Sequence, residues 1–106
     1  MPREISLPEF TAAHAEGALV IDVREPFEYL TGHVPGALPV PLTELPSRFR
    51  QLPTGRPVAV ICATGNRSLA AADFLTAHGV DAVSVAGGTS GWQRAGHPVV
   101  SGSAVA

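Results

Sequence analysis

The stretch VAVICATGNRS, residues 58–68, decides the fold of this 106-residue chain. Its first four residues, Val58 to Ile61, are all apolar, which predicts a strand buried on both faces. The small and polar residues from Cys62 to Ser68 predict a loop. Residues 67–78 then read as a helix, with alanine and leucine side chains packed inward at helical spacing. A strand, a loop and a helix therefore follow one another at the centre of the sequence.

The same alternation continues on both sides of this stretch. Further strands are predicted at 4–5, 19–22, 37–40 and 82–85. A helix opened by the capping-box pair Ser6 and Glu9 runs to about residue 16. Short helical segments are predicted at 26–29, at 42–52 with a break at Pro46, and at 89–94. Strands that alternate with helices predict an α/β domain with a mainly parallel sheet. The tail, residues 101–106, is predicted to fray.

Composition limits the classes of protein that remain. The chain carries a formal charge of −2, with 45% hydrophobic and 15% charged residues. This length fits one domain, 1–106, and the apolar content is enough for a core. A disordered tail and a polybasic nucleic-acid binder are disfavoured. All seven basic residues are arginine, so the chain offers no lysine for Schiff-base chemistry or for a P-loop.

Cys62 is the only cysteine in the chain. An intramolecular disulfide and a multi-cysteine metal site are therefore excluded. The amino terminus lacks the apolar stretch of a secretory signal, and no apolar run is long enough to cross a bilayer. We expect a soluble, cytoplasmic domain with a free thiol, and neither a nucleic acid nor a membrane as partner.

The loop that begins at Cys62 combines two features that favour bound anions. It lies at the carboxyl end of a strand, where open α/β sheets bind their ligands, and it leads into a helix amino terminus with unpaired N–H groups. A cysteine thiol has an ordinary pKa near 8.5, and in such a place beside Arg67 it can fall to about 7 or below. A free cysteine can also be only a small buried hydrophobe. Gly65, Arg67 and the strand–helix context favour a reactive thiol.

Four short motifs, in order, resemble those of the rhodanese-like sulfurtransferases. The agreement in order and spacing runs from about residue 4 to residue 98. The motifs are Cys62-x-x-Gly65-x-Arg67-Ser68 for the active-site loop, Asp22-Val23-Arg24-Glu25, Gly32-His33-Val34-Pro35-Gly36-Ala37, and Gly87-Gly88 followed by Trp92. Each motif is weak alone, but four in the correct order are specific.

The resemblance implies a fold and an activity. The fold would be a single domain with a central, mainly parallel five-stranded sheet flanked by helices on both faces. The activity would be transfer of a sulfane sulfur from thiosulfate to an acceptor such as cyanide or a thiol, through a persulfide on Cys62. No metal or organic cofactor would be needed, because the protein sulfur is the carrier. Substrate would bind to the loop residues Ala63, Thr64, Gly65, Asn66, Arg67 and Ser68.

For some residues outside the loop, the sequence is consistent with more than one role. By resemblance, Asp22 and Arg24 support the active loop, whereas an ion pair that braces the fold is at least as good an explanation. His33 is expected to fix its glycine- and proline-rich loop by hydrogen bonding rather than to transfer protons. Trp92 is expected in the core. The remaining histidines share no metal-ligand spacing.

Alternative functions stay open at this point. Many relatives that use thiosulfate carry a second basic residue in the loop, where this chain has Ala63 and Thr64, so the donor could instead be a persulfide on a partner protein. The chain would then be a persulfide-relay or sulfur-carrier protein, with partner proteins as donor or acceptor. A phosphatase of similar fold would have five residues between its cysteine and arginine, and only four separate Cys62 from Arg67. A non-catalytic interaction module is disfavoured because the cysteine is present.

Overall fold

The computed structural model describes residues 3–106. Five strands pair side by side in the order β1-β5-β4-β2-β3, and every pair is parallel. The strands are β1 Arg3–Ile5, β2 Leu19–Asp22, β3 Leu38–Pro39, β4 Val58–Ile61 and β5 Ala82–Val85. The helices are α1 Leu7–Ala15, α2 Pro26–Thr31, α3 Leu45–Arg48, α4 Asn66–Ala77 and α5 Gly88–Arg94. The predicted α/β class and five-stranded sheet are confirmed.

Strand β4 lies at the centre of the sheet because all four of its side chains are apolar and buried. Successive side chains of a strand point to opposite faces. Val58 and Val60 accordingly belong to one core cluster, and Ala59 and Ile61 belong to the other. Helices α3 and α4 cover the first face, whereas α1, α2 and α5 cover the second. Their buried members are Leu45, Ala71, Ala72 and Leu75 on the first face, and Phe10, Tyr29 and Trp92 on the second.

The helix signals of the sequence are confirmed at α1 and α4. The Ser6 hydroxyl accepts a hydrogen bond from the Glu9 N–H at 3.2 Å, and a Glu9 carboxylate oxygen accepts one from the Ser6 N–H at 3.0 Å. At the end of α4, Gly79 has a φ of 86° and the Val80 N–H donates to the Leu75 carbonyl at 2.9 Å. These contacts satisfy backbone groups that a helix end leaves unpaired.

The helical segment predicted at 42–52 differs in detail from the structure. It consists of α3 between two 3₁₀ turns, Leu42–Glu44 and Phe49–Gln51. Pro46 lies in the first turn of α3, so the predicted break at Pro46 is wrong. A proline costs little in a first turn, since its missing N–H would have no partner there.

The predicted fraying of residues 101–106 is also wrong. The Gly36 N–H donates to the Val105 carbonyl at 2.8 Å, and the Gly102 N–H donates to the Leu30 carbonyl at 2.9 Å. His33 is fully buried, with its ring nitrogens 2.9 Å from the Tyr29 carbonyl oxygen and 2.7 Å from that of Ala104. These contacts agree with the expected loop-fixing role of His33.

The helices of residues 3–106 include none with the length and apolar character needed to span a membrane.

Candidate active site

The candidate site lies where the central strand of the sheet ends. Cys62 follows the last residue of β4, and α4 begins at Asn66. Gly65 is the N-cap of α4 and has a φ of 110°, a left-handed conformation that glycine adopts readily. Cys62 therefore lies between the end of the central strand and the amino terminus of a 12-residue helix.

Three hydrogen-bonding groups surround the Cys62 sulfur. The N–H groups of Gly65 and Ser68 lie 3.1 and 3.3 Å from Sγ, and the Ser68 hydroxyl oxygen lies 3.4 Å from it. Burial is the largest single influence on the thiol and would raise its pKa. The Ser68 hydroxyl and the backbone N–H groups of Ser68, Gly65 and Thr64 together outweigh burial, so the pKa of Cys62 is lowered.

The sulfur lies deeper than the sequence indicated. The context in the sequence favours a reactive thiol, yet Cys62 is only 1% exposed. The hydroxyls of Ser68 and Ser84 are 2.7 Å apart, and both serines are fully buried. Sequence reasoning missed Ser84, although a serine inside an otherwise apolar strand is a signal of a buried polar contact.

Helix α5 closes the loop from the side of β5. The Thr89 N–H donates to the Cys62 carbonyl at 2.8 Å, and the Ser90 N–H donates to the Ala63 carbonyl at 3.0 Å. A Cβ at Gly88 would lie 2.6 Å from these backbone atoms, so only glycine fits there. This close approach explains why the Gly87-Gly88 motif requires glycine at its second position.

Arg67 is paired with a carboxylate that the sequence did not identify. Its two terminal nitrogens contact the Glu28 carboxylate oxygens at 2.7 and 2.9 Å. These hydrogen bonds lower the pKa of Glu28 to about 2 and raise the pKa of Arg67. Arg67 is the only cation of the loop, but its charge is paired with Glu28, and hydrogen-bond donors lower the pKa of the Cys62 thiol. In the sequence, the only indication at Glu28 is that it lies three residues after Glu25, which is the spacing of a helix-capping pair.

Asp22 and Arg24 form a buried ion pair next to the loop. The Arg24 guanidinium contacts the Asp22 carboxylate at distances from 2.8 to 3.2 Å and donates to the Gly32 carbonyl at 2.8 Å. Asp22 ends β2 opposite Ile61, the residue before the cysteine. The pair connects β2 to the loop before β3, which is the bracing arrangement named above.

Within residues 3–106, no group of three or more His, Cys, Asp or Glu side chains could hold a metal ion.

The model of the Rhodanese-like domain family matches residues 6–95 of the chain. The chain belongs to this family. A sulfurtransferase from Allochromatium vinosum is 36% identical over 89 residues, which cover 83% of each chain. The thiosulfate sulfurtransferase GlpE from Pseudomonas entomophila is 35% identical over 92 residues, which cover 86% of this chain and 84% of that protein. The crystal structure of a rhodanese-related protein from Thermoplasma volcanium superposes with a TM-score of 0.87 at 39% identity, covering 92% of this chain and 97% of that one.

In this rhodanese-like domain the loop of Cys62 is suited to hold negative charge on sulfur. The N–H groups that reach Sγ are fixed by the backbone of the loop and by the first turn of α4, so they need little rearrangement when the thiol loses its proton. The arrangement can therefore support a nucleophilic thiolate.

Proposed function

We propose that this chain transfers a sulfane sulfur from thiosulfate, or from another sulfane donor, to a thiophilic acceptor such as cyanide or a thiol. The single observation that carries the proposal is the convergence of two peptide N–H groups and one hydroxyl on the Cys62 sulfur, at 3.1 to 3.4 Å. The two N–H groups donate to the sulfur, and the Ser68 hydroxyl, which accepts from the thiol, donates to the sulfur once the thiol proton has left. All three groups therefore stabilise a thiolate, which is the reactive form of cysteine. The names of the relatives support the same class of reaction.

In the first step the Cys62 thiolate attacks the outer sulfur of thiosulfate. A new S–S bond forms at Sγ, the bond between the two sulfurs of thiosulfate breaks, and sulfite leaves with the electron pair of that bond. Charge is conserved, because thiolate plus thiosulfate dianion gives persulfide anion plus sulfite dianion. Loop residues Ala63 to Ser68 hold the persulfide through backbone N–H groups, which act on negative charge as an oxyanion hole does.

In the second step an acceptor removes the outer sulfur. Cyanide attacks it, the persulfide bond breaks, thiocyanate leaves and the Cys62 thiolate is regenerated. A thiolate acceptor attacks the protonated persulfide in the same way and leaves as a new persulfide. The sulfur of Cys62 carries the transferred atom in both cases, so the proposed cycle uses no metal and no organic cofactor.

The supporting residues act through position in this proposal. Asp22 and Arg24 fix the end of β2 beside the loop, and Ser84 holds the Ser68 hydroxyl near the sulfur. We place the protein in the cytoplasm, where a reducing environment keeps a single cysteine as a thiol.

The test is the intact mass of the chain after incubation with thiosulfate. Wild type should gain one sulfur atom, cyanide should remove it as thiocyanate, and Cys62→Ser should gain nothing. A matched control, Thr54→Cys/Cys62→Ser, moves the only thiol to the exposed loop before β4, at the opposite end of that strand. This control should stay unmodified. A wild-type chain that gains no sulfur from thiosulfate or from an alkyl persulfide, or a control that gains as much as wild type from thiosulfate, would contradict the proposal.

A further inference from the structure

Glu28 holds Arg67 by both of its terminal nitrogens. The two contacts, 2.7 and 2.9 Å, form the parallel fork that guanidinium and carboxylate groups favour. One Glu28 oxygen also accepts a hydrogen bond from the Glu25 N–H at 3.0 Å, at the start of α2. The carboxylate is therefore fixed on its own helix, and Arg67 is held in place by it.

Four charged side chains beside the loop form two ion pairs, in which positive and negative charge balance. Asp22 is paired with Arg24, and Glu28 is paired with Arg67. Arg67 lies in the first turn of α4, one residue before Ser68, whose N–H contacts the Cys62 sulfur at 3.3 Å. Its positive charge is nevertheless already shared with Glu28. The remaining attraction for anions comes from peptide N–H groups, which suit a single charged sulfur better than a dianion.

The two classes of sulfane donor place different demands on this site. Thiosulfate carries two negative charges, shared between its terminal sulfur and its sulfonate oxygens, and it binds better where a cation lies beside the sulfonate. An alkyl persulfide, R–S–SH, is neutral or carries one charge on the sulfur itself. It needs only the donors that already surround Sγ.

We propose that Glu28 is a specificity-determining residue which, by holding Arg67, favours alkyl persulfides over thiosulfate as the sulfur donor. This inference rests on the proposed function. The Cys62 thiolate attacks the terminal sulfur of R–S–SH, a bond forms between Sγ and that sulfur, and the S–S bond of the donor breaks. The alkyl thiolate leaves with the electron pair, and the proton stays on the transferred sulfur.

The variant Glu28→Gln tests the proposal because it keeps the shape of the side chain and removes its charge. Arg67 is then free to bind a sulfonate. The KM for thiosulfate should fall about threefold to tenfold, the range expected when a charged hydrogen-bonding group at a partly exposed site becomes available. The kcat should change less than about twofold, and so should both constants with 2-mercaptoethanol persulfide, a donor with no charge away from its sulfur.

A matched control is Glu44→Gln. Glu44 forms an exposed ion pair with Arg48 at 3.1 Å, four residues along the chain. This variant changes the net charge by the same amount away from the loop, and it should leave both donors unaffected. If Glu28→Gln does not fold, as judged by circular dichroism, then Glu28→Ala gives the same readout, since alanine suits a helix.

Intact mass and steady-state kinetics together distinguish the role of Glu28 from the proposed sulfur transfer itself. If wild type gains sulfur from both donors but the KM for thiosulfate does not fall in the folded Glu28 variant, the role of Glu28 is overturned and the proposed function stands. If neither donor loads Cys62, both are overturned. A second arm presents the persulfide on a protein, the Thr54→Cys/Cys62→Ser chain persulfidated chemically. The faster of the two persulfide donors then identifies the source as a small thiol or a protein.

Discussion

Replacing Ser68 with alanine should raise the pKa of the Cys62 thiol. Among the hydrogen bonds that lower this pKa, the one from the Ser68 hydroxyl is the largest. The substitution removes that donor and leaves the N–H groups of Gly65 and of residue 68 in place. Less of the protein should then carry a thiolate at neutral pH, so Cys62 should react more slowly with electrophiles.

The size of the effect follows from the geometry. A hydrogen bond to a charged group contributes about 1.5–3 kcal/mol. The Ser68 hydroxyl lies 3.4 Å from Sγ, which is long, and it also lies 3.2 Å from the Gly65 carbonyl and 2.7 Å from the Ser84 hydroxyl. The lower end of the range therefore applies, about 1.5 kcal/mol, which corresponds to roughly a tenfold lower alkylation rate at pH values well below the pKa of the thiol.

The assay is the rate of alkylation by iodoacetamide as a function of pH, followed by intact mass. Because the chain has one cysteine, the mass increase measures alkylation of Cys62 alone. The rate of Ser68→Ala should reach its plateau at higher pH than that of wild type. Ser47→Ala, which removes an exposed serine hydroxyl from the segment around α3, should match wild type. A folded Ser68→Ala protein with the wild-type profile would refute the claim that this hydroxyl stabilises the thiolate.

Three further predictions concern stability and reaction class. Because Arg67 lowers the pKa of Glu28 from 4.5 to about 2, the ion pair stabilises the folded state above about pH 4.5 and this contribution is lost as pH falls toward 2. Urea unfolding should show the difference between wild type and Glu28→Gln shrinking across that window, and a constant difference would contradict the assignment. Gly88→Ala should cost about 2–4 kcal/mol, since its Cβ would meet loop backbone at 2.6 Å. Gly55→Ala, with a similar positive φ but open space around it, should cost only about 1 kcal/mol, and equal losses in thermal unfolding would remove the steric argument. Finally, p-nitrophenyl phosphate should show no hydrolysis that depends on Cys62, since four residues separate it from Arg67 and the guanidinium is held by Glu28. Hydrolysis abolished by Cys62→Ser would reopen the phosphatase reading.

The sequence was sufficient for features that depend on local pattern. The apolar run from Val58 to Ile61 predicts the central strand because burial on both faces demands apolar residues at every position. The Ser6–Glu9 spacing predicts the start of α1 because the two side chains satisfy each other's backbone N–H groups. The place of Cys62 at a strand end before a helix follows from the same local reading. Together these features define the architecture and locate the thiol.

Features that depend on distant partners were not predictable in the same way. Arg67 and Glu28 are 39 residues apart, and no local pattern indicates that α2 brings a carboxylate to the loop. The tail was predicted to fray because it lies at the chain end beyond the last predicted helix, yet its backbone pairs with the segment around His33. The burial of the Cys62 sulfur also depends on the packing of α5 against the loop. The residues of the loop itself give no indication of this packing.

In the proposed cycle the sulfur of Cys62 is held as a stabilised anion and accepts one further sulfur atom. A single-turnover experiment tests this step, with the protein incubated with donor, freed of excess donor and then treated with cyanide. Wild type should yield one thiocyanate per protein chain, and Cys62→Ser should yield none. Thiocyanate in equal amount from both proteins, or none from a folded wild-type protein with either donor, would contradict the proposed cycle.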